Sequence, residues 1–140
     1  MNIAELPFNA HLGIRVSERD GKLLELPADE RNSNHLNTVH ASAQMALAEA
    51  ASGELLLRVL KATAAVLPVV RRFGAKFRKP GTGTLLASAK LSGTTAEELE
   101  QQLSIKSRAI VPVEVEIHTE DGTHTLSATV EWYLQTISKP

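Results

Sequence analysis

One segment of this chain, Ala41 to Gly53, is apolar on almost every side of a helix and contains no proline. Its only polar side chains are Ser42, Gln44, Glu49 and Ser52. Alanine, leucine and methionine favour helix strongly. A helix that is apolar nearly all round must be buried, so the rest of the chain has to wrap it. At about 100° per residue, Ser42, Met45, Glu49 and Gly53 share one face. One carboxylate, roughly two turns in, therefore sits on a helix that otherwise reads as core. Such surroundings disfavour the ionised form and raise a carboxyl pKa.

The flanking sequence indicates what does the wrapping. Residues 1–10 read as a short helix or irregular lead-in. His11 to Glu18 alternates apolar and polar residues, Arg19-Asp20-Gly21 is a hairpin-type turn, and Lys22 to Leu26 completes a first hairpin. Asp29 to Thr38 is rich in polar turn formers and reads as loop. The helix follows and extends to about Lys61, because Leu55, Leu56, Val59 and Leu60 continue its stripe. Gly53 inside it costs up to ~1 kcal/mol relative to alanine, which predicts close packing against a strand or ligand.

From Ala65 the period changes to two. Val69, Arg71, Phe73, Ala75 and Phe77 alternate with their neighbours, Lys79 to Gly83 forms a turn, and Thr84 to Ser92 returns as a strand. Thr95-Ala96-Glu97-Glu98 has the form of a capping box opening a short surface helix through Leu103. Ile110 to Thr119 and Thr123 to Thr136 are two alternating strands around Glu120-Asp121-Gly122. The pattern predicts an α+β fold, an antiparallel sheet of about six strands curled around one long central helix. Its 140 residues suit a single domain, 1–140.

Several function classes fall away. With 15 basic and 16 acidic residues the net charge is -1, so no global field favours nucleic acid or an anionic membrane. No cysteine is present, which excludes disulfides, thiolate metal sites and cysteine nucleophiles. The first residues lack the basic and apolar regions of a signal peptide. The longest apolar run, Ala64 to Val70, contains Pro68 and is too short to span a bilayer. The expectation is a soluble cytoplasmic protein without membrane or nucleic-acid partners. His35 and His40 are five apart, off the spacing of a helical metal pair, and no third ligand is evident, so no metal is expected. His11, His118 and His124 carry no pattern. Arg71 and Arg72 read as an ordinary charged strand face.

Asn34, Val39-His40-Ala41-Ser42, Leu47-Ala48-Glu49 and Gly53, in this order, form a pattern of loop, helix start and helical acid. Phe77-Arg78-Lys79-Pro80-Gly81-Thr82-Gly83-Thr84-Leu85 adds a strand-turn-strand motif of the form F-x-[KR]-P-x-x-G-x-L, and Arg108-Ala109 with Val113-Glu114-Val115 a penultimate strand. Together these resemble the hotdog-fold acyl-CoA thioesterases, specifically the phenylacetyl-CoA thioesterase-like (PaaI-like) group. The likeness covers nearly the whole chain.

The resemblance implies hydrolysis of an acyl-CoA thioester by a homodimer, or a dimer of dimers, with sites at the subunit interface. Coenzyme A enters as part of the substrate, and no other cofactor is implied. Thioester hydrolysis needs a donor for the oxyanion and a base or nucleophile. The Ala41 N–H, where the helix begins, is the expected oxyanion donor. Glu49 is the expected base or nucleophile, and Asn34 would orient the water or the carbonyl. His40 belongs to the same catalytic loop, with a bond to loop backbone as its reading. Ser42, Met45 and Gly53 would line the acyl path along the helix, and Arg78 and Lys79 would meet the phosphates of coenzyme A. Glu49 lies about 12 Å beyond Ala41 at 1.5 Å per residue, longer than one reacting centre spans. The family has Gly-Gly where this chain has Ala41-Ser42. That departure supports an alternative, a non-catalytic acyl-CoA or fatty-acyl binding protein of the same fold.

Overall fold

The computed structural model describes residues 1–60 and 65–137. The apolar segment forms the helix α2, Ala41–Val59; the expected end at Lys61 lies outside the described residues. Six antiparallel strands surround it: β1 (Arg15–Val16), β2 (Leu24–Leu26), β3 (Val66–Phe77), β4 (Leu85–Leu91), β5 (Arg108–Thr119) and β6 (His124–Thr136). Their spatial order is β1-β2-β4-β5-β6-β3. Strand alternation decides which side meets the helix. On β5, Val111, Val113, Val115 and Ile117 are fully buried, while Glu114, Glu116 and His118 point the other way. On β6, Leu126, Ala128, Val130, Trp132 and Leu134 complete the same core.

One polar link ties helix to sheet inside this core. The Trp132 Nε1–H donates to Ser52 Oγ at 2.9 Å, and Ser52 Oγ–H donates to the Glu49 carbonyl at 2.7 Å. The partner expected for Gly53 is this strand: a Cβ there would lie 3.5 Å from both Trp132 Cζ2 and Ile3 Cδ1. Those are ordinary contacts, so the approach is close without excluding alanine.

Two local expectations are corrected. The N-terminal lead-in forms a 3₁₀ turn, Ile3–Glu5, and a helix α1, Pro7–Leu12. His11 and Leu12 therefore belong to α1, and the expected first strand shrinks to Arg15–Val16. Pro7 opens that helix and Gly13, at φ 84°, closes it in the left-handed conformation. The helix after Thr95 is α3, Ala96–Lys106, capped as expected by Thr95 Oγ, which accepts from the Glu98 N–H at 3.1 Å. It is anchored more firmly than a purely superficial helix, because Leu99 and Leu103 are buried and it packs on β5. β3 is a strand, as its alternation predicts, with Val66, Pro68 and Phe73 half-buried and no residue fully buried. It lies at the sheet edge, where among the described residues it pairs only with β6. Leu67, Val69 and Phe77 are 53%, 51% and 47% exposed.

Replacing Ser52 by alanine leaves the buried Trp132 N–H without its acceptor. The expected cost is about 1–3 kcal/mol of stability, read as a lower denaturation midpoint. An unchanged midpoint would show that the link contributes nothing.

Candidate functional site

The loop leading into α2 is held by its own side chains. Asn34 Oδ1 accepts from the Leu36 and Thr38 backbone N–H groups at 2.9 and 3.1 Å, and its Nδ2 donates to Thr38 Oγ at 2.9 Å. Asn37, at φ 60°, takes the left-handed position that asparagine tolerates. Two backbone bonds anchor the loop's end, Val39 N–H to the Gly81 carbonyl at 2.8 Å and His40 N–H to the Asn32 carbonyl at 2.7 Å. His40 is the N-cap: its Nδ1 accepts from the Ser42 N–H at 2.9 Å. Its carbonyl accepts from Ala43 and Gln44 at 3.0 and 3.1 Å. The cap takes the second amide of the helix and leaves the first, Ala41, with no hydrogen-bond acceptor among the described residues. The helix dipole adds positive potential there.

Ala41 opens onto a concavity of about 280 Å³ lined also by Asn34, Gln44, Phe77, Arg78 and Lys79. Four of the predicted site residues thus meet at one place. Gln44 was not singled out from the sequence. It is only 4% exposed, its Nε2 reaches the Val39 carbonyl at 3.5 Å, and its Oε1 has no partner. A polar residue on an otherwise apolar helix face was the available signal.

Glu49 and Gly53 lie elsewhere, in the wall of a cavity of about 420 Å³ with Ile3, Leu56, Val66 and Trp132. The lining is apolar apart from Glu49 and Asn9, and the Asn9 amide is spent on the Ile3 carbonyl at 2.9 Å. Burial pushes the half-buried Glu49 carboxyl above its ordinary value. Met45, 39% exposed, and Ser42 share its helical face but line neither cavity. Within one chain the structure therefore separates the carboxylate from the helix N-terminus.

Arg78 and Lys79 also border a third concavity, of about 600 Å³, with Asp121 and His124. Arg78 Nε donates to Ser127 Oγ at 2.8 Å, whereas Arg71 pairs with Glu131 at 3.1 Å across β3 and β6, as a strand-face residue does. His118 and His124, patternless in sequence, are cross-strand neighbours about the Asp121 turn. The hairpin register was the signal that could have paired them. Among the described residues no group of three His, Asp or Glu is placed to hold a metal ion, and no helix is long and apolar enough to cross a membrane.

A sheet of this order closed around a single helix is the hotdog fold, seen in structures of the thioesterase superfamily. One is a Pseudomonas aeruginosa protein described as of unknown function and a probable thioesterase (24% identity, 96% of this chain and 91% of that one, TM-score 0.82). Another is a Haemophilus influenzae thioesterase (18% identity, 98% and 88% covered, TM-score 0.75). A third, from Bacillus halodurans, was crystallised with CoA (23% identity, 79% and 69% covered, TM-score 0.64). At these identities the likeness is one of fold. By sequence the chain belongs to the family described as a domain of unknown function (DUF4442), which matches residues 3–134. No curated protein matches it.

The raised Glu49 pKa has a signed consequence for stability. Below the ordinary glutamate value both folded and unfolded states are protonated and the site costs nothing. As pH rises, the unfolded carboxyl ionises first and the folded state is penalised, until the folded carboxyl ionises too. Glu49→Gln should therefore raise the melting temperature at neutral pH, with the gain vanishing near pH 4. A gain that is constant across this range would mean a solvated carboxyl.

Proposed function

We propose that this protein hydrolyses an acyl-CoA thioester. The observation that carries the reading is Glu49, a carboxyl raised by burial in the wall of an apolar cavity. Such a group is matched to general-base work near neutral pH. Its carboxylate takes a proton from water, and the water oxygen bonds to the thioester carbon. The oxyanion that forms is met by the Ala41 N–H and the helix dipole. The C–S bond then breaks, and the proton passes to the coenzyme A thiolate as the acid leaves. The acyl group occupies the apolar cavity beside Gly53, and Arg78 and Lys79 receive phosphates.

Glu49 and Ala41 of one chain border different cavities, and dimerisation supplies the missing geometry. A long exposed edge strand is a template for pairing, and β3 presents its free edge with Leu67, Val69 and Phe77 uncovered. A two-fold homodimer through β3 runs the two copies antiparallel. The start of one β3 then lies beside the end of the other. Val66, Leu67 and Val70 at the start line the Glu49 cavity, while Phe77 and Arg78 at the end line the Ala41 concavity. Each active site is accordingly built from Glu49 of one copy and Asn34, Ala41 and Arg78 of the other. Asn34 serves this site through the loop it fastens.

The Ala41 methyl, where the resembling family has glycine, favours one other reading: the same pocket binding acyl-CoA without turnover. Free-thiol release from short, medium, long and aromatic acyl-CoAs separates the two. Release that Glu49→Gln lowers by about 10²-fold or more is expected of a lost general base. Release unaffected by that substitution removes Glu49 from the mechanism. No release, with acyl-CoA still raising the melting temperature, establishes the binding protein.

A further inference from the structure

The cavity that holds Glu49 is elongated along α2. Its helical wall runs from Glu49 past Gly53 and Leu56 to Leu60, roughly three turns, or about 16 Å at 1.5 Å per residue. Trp132 of β6 and the start of β3 line the sheet side, and Ile3 and Leu6 of the N-terminal turn close the remaining one. Two of the polar groups in this lining are already engaged. The Asn9 amide is bonded to the Ile3 carbonyl, and the Trp132 N–H to Ser52. Glu49 is the polar group left for a substrate to meet among the described residues of the wall.

The N-terminal turn is tied in place by its own polar groups. The Ile3 carbonyl accepts twice, from Asn9 Nδ2 at 2.9 Å and from the Leu6 N–H at 3.3 Å. Asn2 Oδ1 accepts from the Ala4 N–H at 3.1 Å. Asn9 is itself buried, and its carbonyl accepts from the Ile14 N–H at 3.1 Å. These bonds hold the buried Ile3 side chain across from Gly53, where a Cβ would lie 3.5 Å from Ile3 Cδ1. The helix contributes no side chain at that point, so Ile3 sets the width of the cavity there. Leu6 stands exposed at the rim. We propose that this cavity takes a straight, unsubstituted aliphatic acyl chain of medium length, and that Ile3 and Leu6 are the specificity-determining residues that gauge it. The inference rests on the acyl-CoA reading and deepens it.

Size and chemistry together select the chain. A cavity of about 420 Å³, at about 30 Å³ for a group the size of a water molecule, holds on the order of ten methylenes. A single aromatic ring leaves most of that space empty, and unfilled space forfeits contacts. Each methylene moved from water into apolar surroundings multiplies affinity about three- to fourfold. Binding energy gained along the chain can be used to hold the thioester in place beside Glu49. A hydroxyl on the buried part of the chain finds no partner in this lining, which costs it roughly tenfold or more in affinity.

The test is kcat/KM for free-thiol release along the straight saturated series from butyryl-CoA to palmitoyl-CoA, below micelle-forming concentrations. For wild type it should climb about three- to fourfold per added methylene, peak near about ten carbons and fall beyond. Ile3→Ala removes the wall opposite Gly53 and should move the peak to longer chains. Leu6→Trp fills the rim and should move it to shorter ones; Leu6 is exposed, so this variant leaves the core packing alone. Lost stability by itself lowers every member of the series alike and cannot move the peak. A flat wild-type profile, a peak unmoved in both variants, or phenylacetyl-CoA outrunning every straight chain would overturn the gauge alone. Thiol release from no acyl-CoA at all would overturn the hydrolase reading beneath it.

Discussion

Burial of an almost wholly apolar helix is the constraint on which the rest of this structure depends. A single helix is about 10 Å across, and a sheet must curl to cover it. Strands β2, β4, β5 and β6 supply the cover, and the Trp132–Ser52 hydrogen bond pairs two polar groups buried between helix and sheet. The last strand of the order, β3, is covered least: Val66 and Phe73 pack partly against the core, none of its residues is fully buried, and its outer edge is free among the described residues. The same burial makes Glu49 unusual, because a carboxyl in this wall gives up solvation and holds its proton longer. The raised Glu49 carboxyl and the exposed edge are thus two results of one packing arrangement.

The central helix was legible because propensity, the absence of proline and uniform apolarity agree over its length. The last two strands were legible because each alternates over ten or more residues about a clear turn signal. The first strand was misread where two patterns compete. The alternation from His11 onward meets a helix opened by Pro7 and stopped by Gly13, and the caps prevail. For β3 the period was right, but alternation cannot say whether anything covers a face. The loop, helix start and acid were visible as a linear motif. What spacing cannot convey is that Glu49 and Ala41 open onto separate cavities of one chain. The side chains grouped behind Arg78 were hidden for another reason: register brings them together, placing Glu116 opposite Ser127 and His118 opposite His124.

These features bear on one another at the proposed site. The cap geometry reserves the Ala41 amide, because His40 takes the next one along. The Asn34 bonds hold the loop that delivers that amide, and the Gly81 carbonyl ties the loop to the turn carrying Arg78 and Lys79. The Ala41 amide and the cations proposed to meet phosphate are thereby tied together as one unit at the end of β3. Apolar cavity and carboxyl form another at its start. In the proposed homodimer, the catalytic centre lies where the two units of different copies meet.

The sharing of each site between two copies is the central claim, and complementation tests it most directly. Ala41→Pro removes the N–H at the first helical position, where proline is tolerated. His40, at φ -60° and ψ 139°, already has the extended backbone that a following proline demands. Ala41→Pro and Glu49→Gln should each be inactive alone. Unfolded together and refolded as a mixture, they should recover about a quarter of wild-type thiol release, because mixed dimers carry one doubly altered site and one intact site. Mixtures as inactive as either variant would place both residues in the same chain's site and contradict the account.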